Sequence, residues 1–221
     1  MDVLSVLRSM RCQYVQLQWI GRHIPVFSIA ALLKEYGMLA VGVQDKAGQV
    51  FSSQKYFLDL CRQSGGWDIC LSGAREIGET IFIEKVQALR QCTDTDGLSL
   101  SYHPTGADFT KTMHAVLEAC PFLRLTLDTC QAFDAQADTA KLIEQYAGRI
   151  DCVHLKDRDS SGRLCPVGQG VIGFERILSA CSGAGVKYLL AEQETWEDAF
   201  KELGEGFRYV SALCEKYARS T

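Results

Sequence analysis

Seven short apolar runs, separated by stretches of helical periodicity, set the tightest limit on how this chain can fold. The runs are QYVQLQ (13–18), MLAVGVQD (38–45), WDICLSG (67–73), LSLSYH (98–103), LRLTLDT (123–129), RIDCVHLKD (149–157) and VKYLLAEQE (186–194). Amphipathic segments lie between them at 28–37, 52–66, 79–97, 108–121, 137–148 and 173–185, and 197–219 closes the chain as one or two helices. Strict alternation of strand and helix calls for a parallel sheet with helical crossovers. An open doubly wound sheet and a (β/α) barrel both satisfy it. No GxGxxG follows the first strand and no P-loop occurs, so the nucleotide-binding forms lose support. Without a linker or low-complexity segment, residues 1–221 read as one domain.

The composition, 47% hydrophobic and 23% charged, is that of a globular protein with an ample core. No apolar run approaches the ~18 residues that a membrane helix needs. The N-terminal MDVLSVLRSMRCQYVQLQ lacks the charged and apolar regions of a signal peptide. Ten cysteines include no CxxC pair, and Cys70, Cys120, Cys152 and Cys181 sit in apolar patterns as small hydrophobes. A reducing cytoplasm and no cysteine-held zinc are expected. With a net charge of −4 and no basic stripe, a nucleic-acid partner is not expected.

Polar residues collect at the C-terminal ends of the strands: Gln16 and Gln18, Gln44 and Asp45, Ser72, His103, Asp128, His154 with Lys156 and Asp157, and Glu192 with Glu194. In a barrel those ends form one rim, where active sites sit. His103, Asp128, His154 and Glu192 lie on four separate strands and would converge there, whereas an open sheet would string them along an edge. The pattern therefore favours the barrel. Strand side chains alternate faces, so His154 and Lys156 share the inward face while Val153 and Leu155 point toward the helices. A buried lysine needs a carboxylate or a substrate anion. Either a functional role or a structural ion pair with Glu192 or Asp128 would satisfy it. Leu190, Glu192 and Glu194 share a face by the same parity. One imidazole and two carboxylates suit Mn, Mg, Co or Zn. His114 falls within a helix as a structural residue, His23 in an exposed loop, and the charges of WEDAFKELGEGF on a solvated helix face. CPVGQGVIGF (165–174), glycine-rich before a helix, is either an anion cradle or a plain turn.

The segment from residue 98 onward resembles the sugar phosphate isomerase/epimerase family of xylose isomerase-like TIM barrels. Leu-Asp-Thr at 127–129, Arg-Ile-x-x-Val-His-Leu-Lys-Asp at 149–157, Gly-x-Gly at 168–170 and the strand-end Glu192 carry the resemblance, in matching order and spacing. YHPTGADF is similar to the family's YHxH…F segment. The resemblance implies one divalent metal held by Asp128, His154, Glu192 and, from the preceding strand, His103. It also implies a metal-dependent isomerase, epimerase or dehydratase acting on a small sugar, sugar phosphate or inosose through an enediolate. Glu192 would be ligand and base, Lys156 electrophile or proton carrier, and Gln131, Lys156 and His103 substrate contacts. Gln131 and Thr105 stand where relatives commonly carry histidine. DVLSVLRSMRCQYVQLQ reads as the family's first helix and second strand, so the expected barrel has seven strands, the first family strand missing. Its unpaired edges leave room for a homo-oligomer. Two other classes remain: a degenerate barrel that binds a sugar or protein without turnover, and an endonuclease-like phosphodiesterase. Four histidines and the negative net charge disfavour the second.

Overall fold

Each of the seven apolar runs forms a strand, and each long amphipathic segment forms a helix. The structure, a computed structural model, describes residues 3–18, 20, 23–109, 111–194 and 198–218. They fall into two compact units, Met1–Arg124 and Leu125–Thr221.

The first unit runs α1 (Val3–Ser9), β1 (Tyr14–Gln18), α2 (Val26–Glu35), β2 (Leu39–Lys46), α3 (Ala47–Ser52), α4 (Gln54–Gln63), β3 (Asp68–Ser72), α5 (Ala74–Ile77), α6 (Glu79–Asp96) and β4 (Ser99–His103). A 3-10 turn at Gly106–Asp108 and α7 (Lys111–Ala119) complete it. Its strands pair in parallel in the order β1-β2-β3-β4. β3 is buried at every residue, as a strand covered on both faces should be, and it carries an unbroken apolar centre instead of an alternating pattern. The register sets Lys46, Ser72 and His103 side by side at the C-terminal ends, all on one face. On the opposite face Tyr102 is fully buried, with its ring 5.2 Å from that of Phe82 on α6. α6 ends where Gly97 takes the left-handed conformation (φ 66°), which spares a side chain the strain there.

The second unit opens with β5 (Arg124–Asp128) and continues α8 (Thr129–Asp134), α9 (Thr139–Gln145), β6 (Ile150–Leu155), β7 (Asp157–Arg158), β8 (Leu164–Cys165), α10 (Phe174–Ala184), β9 (Tyr188–Ala191) and α11 (Ala199–Ala218). The parallel order is β5-β6-β9, and β7 and β8 form a separate antiparallel hairpin. Val153 and Leu155 are fully buried, as is Ile143 of α9. Burying an aliphatic side chain of this size contributes roughly 2 kcal/mol.

Three features depart from the sequence-based expectation. α8 follows Asp128 directly, where a loop was expected before the helix at 137. The strand expected over 149–157 ends at Leu155, and Asp157–Arg158 pairs instead with Leu164–Cys165 in the separate hairpin. The face carrying KELGEG is not simply solvated: Gly204 and Gly206 are buried, Glu202 accepts a hydrogen bond from Gln193 (2.7 Å) and Glu205 one from Gln169 (2.8 Å). Trp196 and Glu197, at the head of that segment, lie outside the described residues. The four named apolar-pattern cysteines are buried, and no disulfide joins any cysteine among the described residues. No described helix is long and apolar enough to cross a membrane.

Candidate functional site

Asp128 ends β5 and at the same time caps α8: its Oδ1 accepts the backbone N–H of Gln131 (2.9 Å). A carboxylate suits this place because the first turn of a helix leaves its N–H groups without helical partners. Asp128 is paired in register with His154 on β6, so the two side chains share a face. A carboxylate oxygen of the one and a ring nitrogen of the other lie within 4.8 Å. Both residues are almost wholly shielded from solvent (0% and 1% exposed).

His154 is in turn paired with Leu190, and Glu192 lies two residues beyond, past the end of β9. Glu192 Oε2 comes to 3.5 Å from His154 Nδ1. The parity argument for His154 and Lys156 holds, because Lys156 reaches the same cluster. Its Nζ lies 3.1 Å from Glu192 Oε1, 3.3 Å from Asp128 Oδ2 and 2.5 Å from Glu194 Oε1. The ion pairs that the sequence left open are thus both made, and a third, to Glu194, joins them. Burial by itself would pull the Lys156 ammonium down. Asp128, Glu192 and Glu194 outweigh it and hold the amine protonated well above its ordinary range. Burial raises Glu192 against the opposing pull of Lys156, and the Lys156 hydrogen bond lowers Glu194.

Thr129 fixes the backbone on which this lysine stands. Its hydroxyl donates to the Lys156 carbonyl (2.6 Å) and accepts the Lys156 N–H (2.9 Å). The Leu-Asp-Thr motif therefore has two parts: an aspartate aimed at the cluster and a threonine that clamps the next strand. Cys130 beside them offers no nucleophile, since burial and the Asp128 charge push its thiol up to about 12.

The glycine-rich loop is closed by the protein's own carboxylate. Asp157 Oδ2 accepts the N–H groups of Gly168 and Gly170 (2.9 Å each), and Oδ1 those of Arg158 (2.9 Å) and Ile172 (3.2 Å). Those Gly168, Gly170 and Ile172 donors are taken, so of the two readings of this loop the structure favours the turn. Gly168 has φ 92° and packs on Tyr209, where a Cβ would stand 2.5 Å from the ring. A Cβ on Gly170 would collide with the Arg158 carbonyl and the Asp157 carboxylate.

His103 belongs to the first unit, buried at the end of β4. Gln131 is half-buried one turn into α8, and Thr105 half-buried just past β4. His23 lies in an exposed turn, as expected, and His114 is exposed on α7. Sequence reasoning missed Glu194 and Thr129 as parts of the cluster. The parity of the strand pointed to the first, but Thr129 had no signal beyond its place in the motif.

Residues 49–212 match the model of the family described as xylose isomerase-like TIM barrel. Among solved structures, a xylose isomerase domain protein from Planctomyces limnophilus is similar over 99% of this chain and 93% of its own, with 14% identity and a TM-score of 0.82. A sugar phosphate isomerase/epimerase from Parabacteroides distasonis follows at 96% and 88%, 15% identity and TM-score 0.79. An L-ribulose 3-epimerase is similar over 98% and 89%, with 16% identity and TM-score 0.77. No curated protein matches the sequence. At such identities the likeness shows the fold, a (β/α) barrel of TIM type, with seven parallel strands among the described residues.

Proposed function

This chain belongs to the xylose isomerase-like TIM barrel family, and on that footing we propose that it is a divalent-metal-dependent isomerase, epimerase or dehydratase of a small sugar, sugar phosphate or inosose. The observation that carries the reading is the convergence of Asp128, His154 and Glu192 on one buried spot. The donor chemistry fits a divalent cation: one imidazole and two carboxylates suit Mn, Mg, Co or Zn. The charge fits as well. With Glu194 included, three carboxylates face one ammonium, an excess of acidic groups around the buried Asp128 and His154. His103, at a strand end in the same fold, is proposed as the fourth ligand. One barrel domain over 1–221 goes with this reading, since the family match runs through both compact units.

A divalent metal held by Asp128, His154 and Glu192 would supply Lewis-acid stabilisation of the negative charge that develops on the substrate. The protein's own residues handle the proton. Glu192, whose basicity burial raises, takes the proton from the carbon beside the substrate carbonyl, leading to an enediolate. Lys156 stays protonated and donates a hydrogen bond to the oxygen on which charge develops. Gln131 is proposed to hold a substrate hydroxyl; an amide can orient it but cannot shuttle protons as histidine does. The reading keeps the protein in the cytoplasm, with a small-molecule substrate, no nucleic-acid partner and room for a homo-oligomer.

The test is metal analysis of the purified chain, then incubation with ketoses, their phosphates and inososes in D2O. Deuterium uptake beside the carbonyl that requires Mn2+, Mg2+, Co2+ or Zn2+ and vanishes in Glu192→Gln is the expected result. A protein that carries no metal, gains no stability from any of the four and exchanges no proton would refute the enzyme and favour a barrel that binds without turnover.

A further inference from the structure

The metal reading uses Asp128, His154 and Glu192 as donors and leaves unexplained why an ammonium already stands against two of them. Lys156 does not skirt the cluster. It touches both carboxylates assigned to the metal, at 3.3 and 3.1 Å, and Glu194 besides. We propose that Lys156 is a built-in counter-cation that competes with the metal for Asp128 and Glu192, and that Glu194 is the positioning residue that draws it aside when metal binds. The proposal rests on the metal reading above.

Three observations support it. First, a metal bonded at about 2.0–2.2 Å to oxygens that Lys156 also touches would lie within about 5.5 Å of the ammonium. Asp128 and His154 are dry, so little water screens that repulsion. One cation must yield. Second, the lysine has somewhere to go. The Glu194 side chain is 52% exposed, whereas those of Asp128 and Glu192 are 0% and 24% exposed. A swing of the flexible four-carbon stem toward solvent keeps the ion pair with Glu194 while releasing the other two. Third, the backbone cannot follow, because Thr129 holds both the N–H and the carbonyl of Lys156. The exchange is therefore a side-chain movement, and the carboxylates stay in place. Without metal, the buried Asp128 carboxylate facing the half-buried Glu192 would be destabilising, and the lysine relieves the pair.

The experiment measures Mn2+ binding to the chelator-stripped full chain by titration calorimetry, with thermal midpoints recorded alongside. Lys156→Met is expected to tighten Mn2+ binding by about tenfold or more, the equivalent of removing one competing cation. Its metal-free midpoint falls, and Mn2+ raises that midpoint further than it raises the wild type's. Glu194→Gln is expected to weaken Mn2+ binding several-fold in the wild-type background and by less than about twofold when Lys156 is already methionine. That loss of effect is the signature of a residue acting through the lysine. Equal or weaker Mn2+ binding by Lys156→Met overturns the competition. An equal cost of Glu194→Gln in both backgrounds overturns its role as the lysine's holder. If Lys156→Met does not fold, Lys156→Gln carries the same comparison with a polar side chain. Folded wild type and Lys156→Met that both ignore Mn2+ would instead bring down the metal reading, an outcome distinct from binding it equally.

Discussion

Changing Asp157 to asparagine tests how the loop over the second unit is held. The carboxylate is 1% exposed and accepts four backbone N–H groups, two at each oxygen. Asparagine keeps the size but turns one acceptor oxygen into an NH2 group. Whichever way the amide is turned, two backbone donors then face another donor. A hydrogen bond to a charged group contributes about 1.5–3 kcal/mol, and a stranded buried donor costs a further 1–3 kcal/mol. The loop can relax, so the expected net loss is about 3–5 kcal/mol. In a chain of this size that lowers the thermal midpoint by roughly 10 °C. Urea and thermal unfolding at neutral pH give the overall loss. Amide exchange locates it, since Gly168, Gly170 and Ile172 should lose protection while Val153 keeps it. Asp94→Asn, on the exposed side of α6, is the control. If Asp157→Asn stays within about 1 kcal/mol of wild type and those three amides remain protected, the carboxylate does not organise the loop.

Gly170→Ala should cost about 3 kcal/mol in urea unfolding, because the new Cβ meets the Arg158 carbonyl and the Asp157 carboxylate; a neutral result would mean the loop shifts freely. Thr129→Val should cost about 2 kcal/mol by stranding the Lys156 N–H and carbonyl, whereas Thr129→Ser keeps both bonds and most of the stability, measured the same way. Asp159 is lowered to about 2 by hydrogen bonds from the Ser161 hydroxyl and the Arg163 N–H. Its folded value lies below the unfolded one, near 3.9, so its contribution is present above about pH 4 and lost as pH falls through about 2. Acid titration of wild type against Asp159→Asn should therefore show a difference in stability that shrinks across that window, and a difference constant with pH would contradict it.

The alternation of strand and helix was legible because short parallel strands are buried on both faces and read as apolar runs, while their crossovers keep a helical stripe. His154 and Glu192 were legible by parity and Asp128 by its place at a strand end, since a polar side chain there stands out against apolar neighbours. Helix α8 was missed although Asp128-x-x-Gln131 is a capping pattern, because its six residues are too few to show a periodic stripe. The reach of Asp157 to Gly168, Gly170 and Ile172 leaves no local mark, since donor and acceptor are 11 to 15 residues apart. Glu194 was placed on the right face, but the meeting of three carboxylates at one lysine depends on side-chain lengths across three strand ends, which no single segment encodes.

Helix α8 gives the charge cluster a kind of mechanical insulation. Its cap is Asp128, its first residue clamps the backbone of Lys156, and its last residue, Asp134, holds Arg158 two positions further along. A push on its outer side, at the exposed Phe133 for instance, moves the carboxylate and the lysine backbone together instead of apart. The spacing between the two charges is thereby decoupled from the surface above it. Substitutions on that outer side can accumulate, or be introduced by design, while the ion-pair geometry beneath them stays constant.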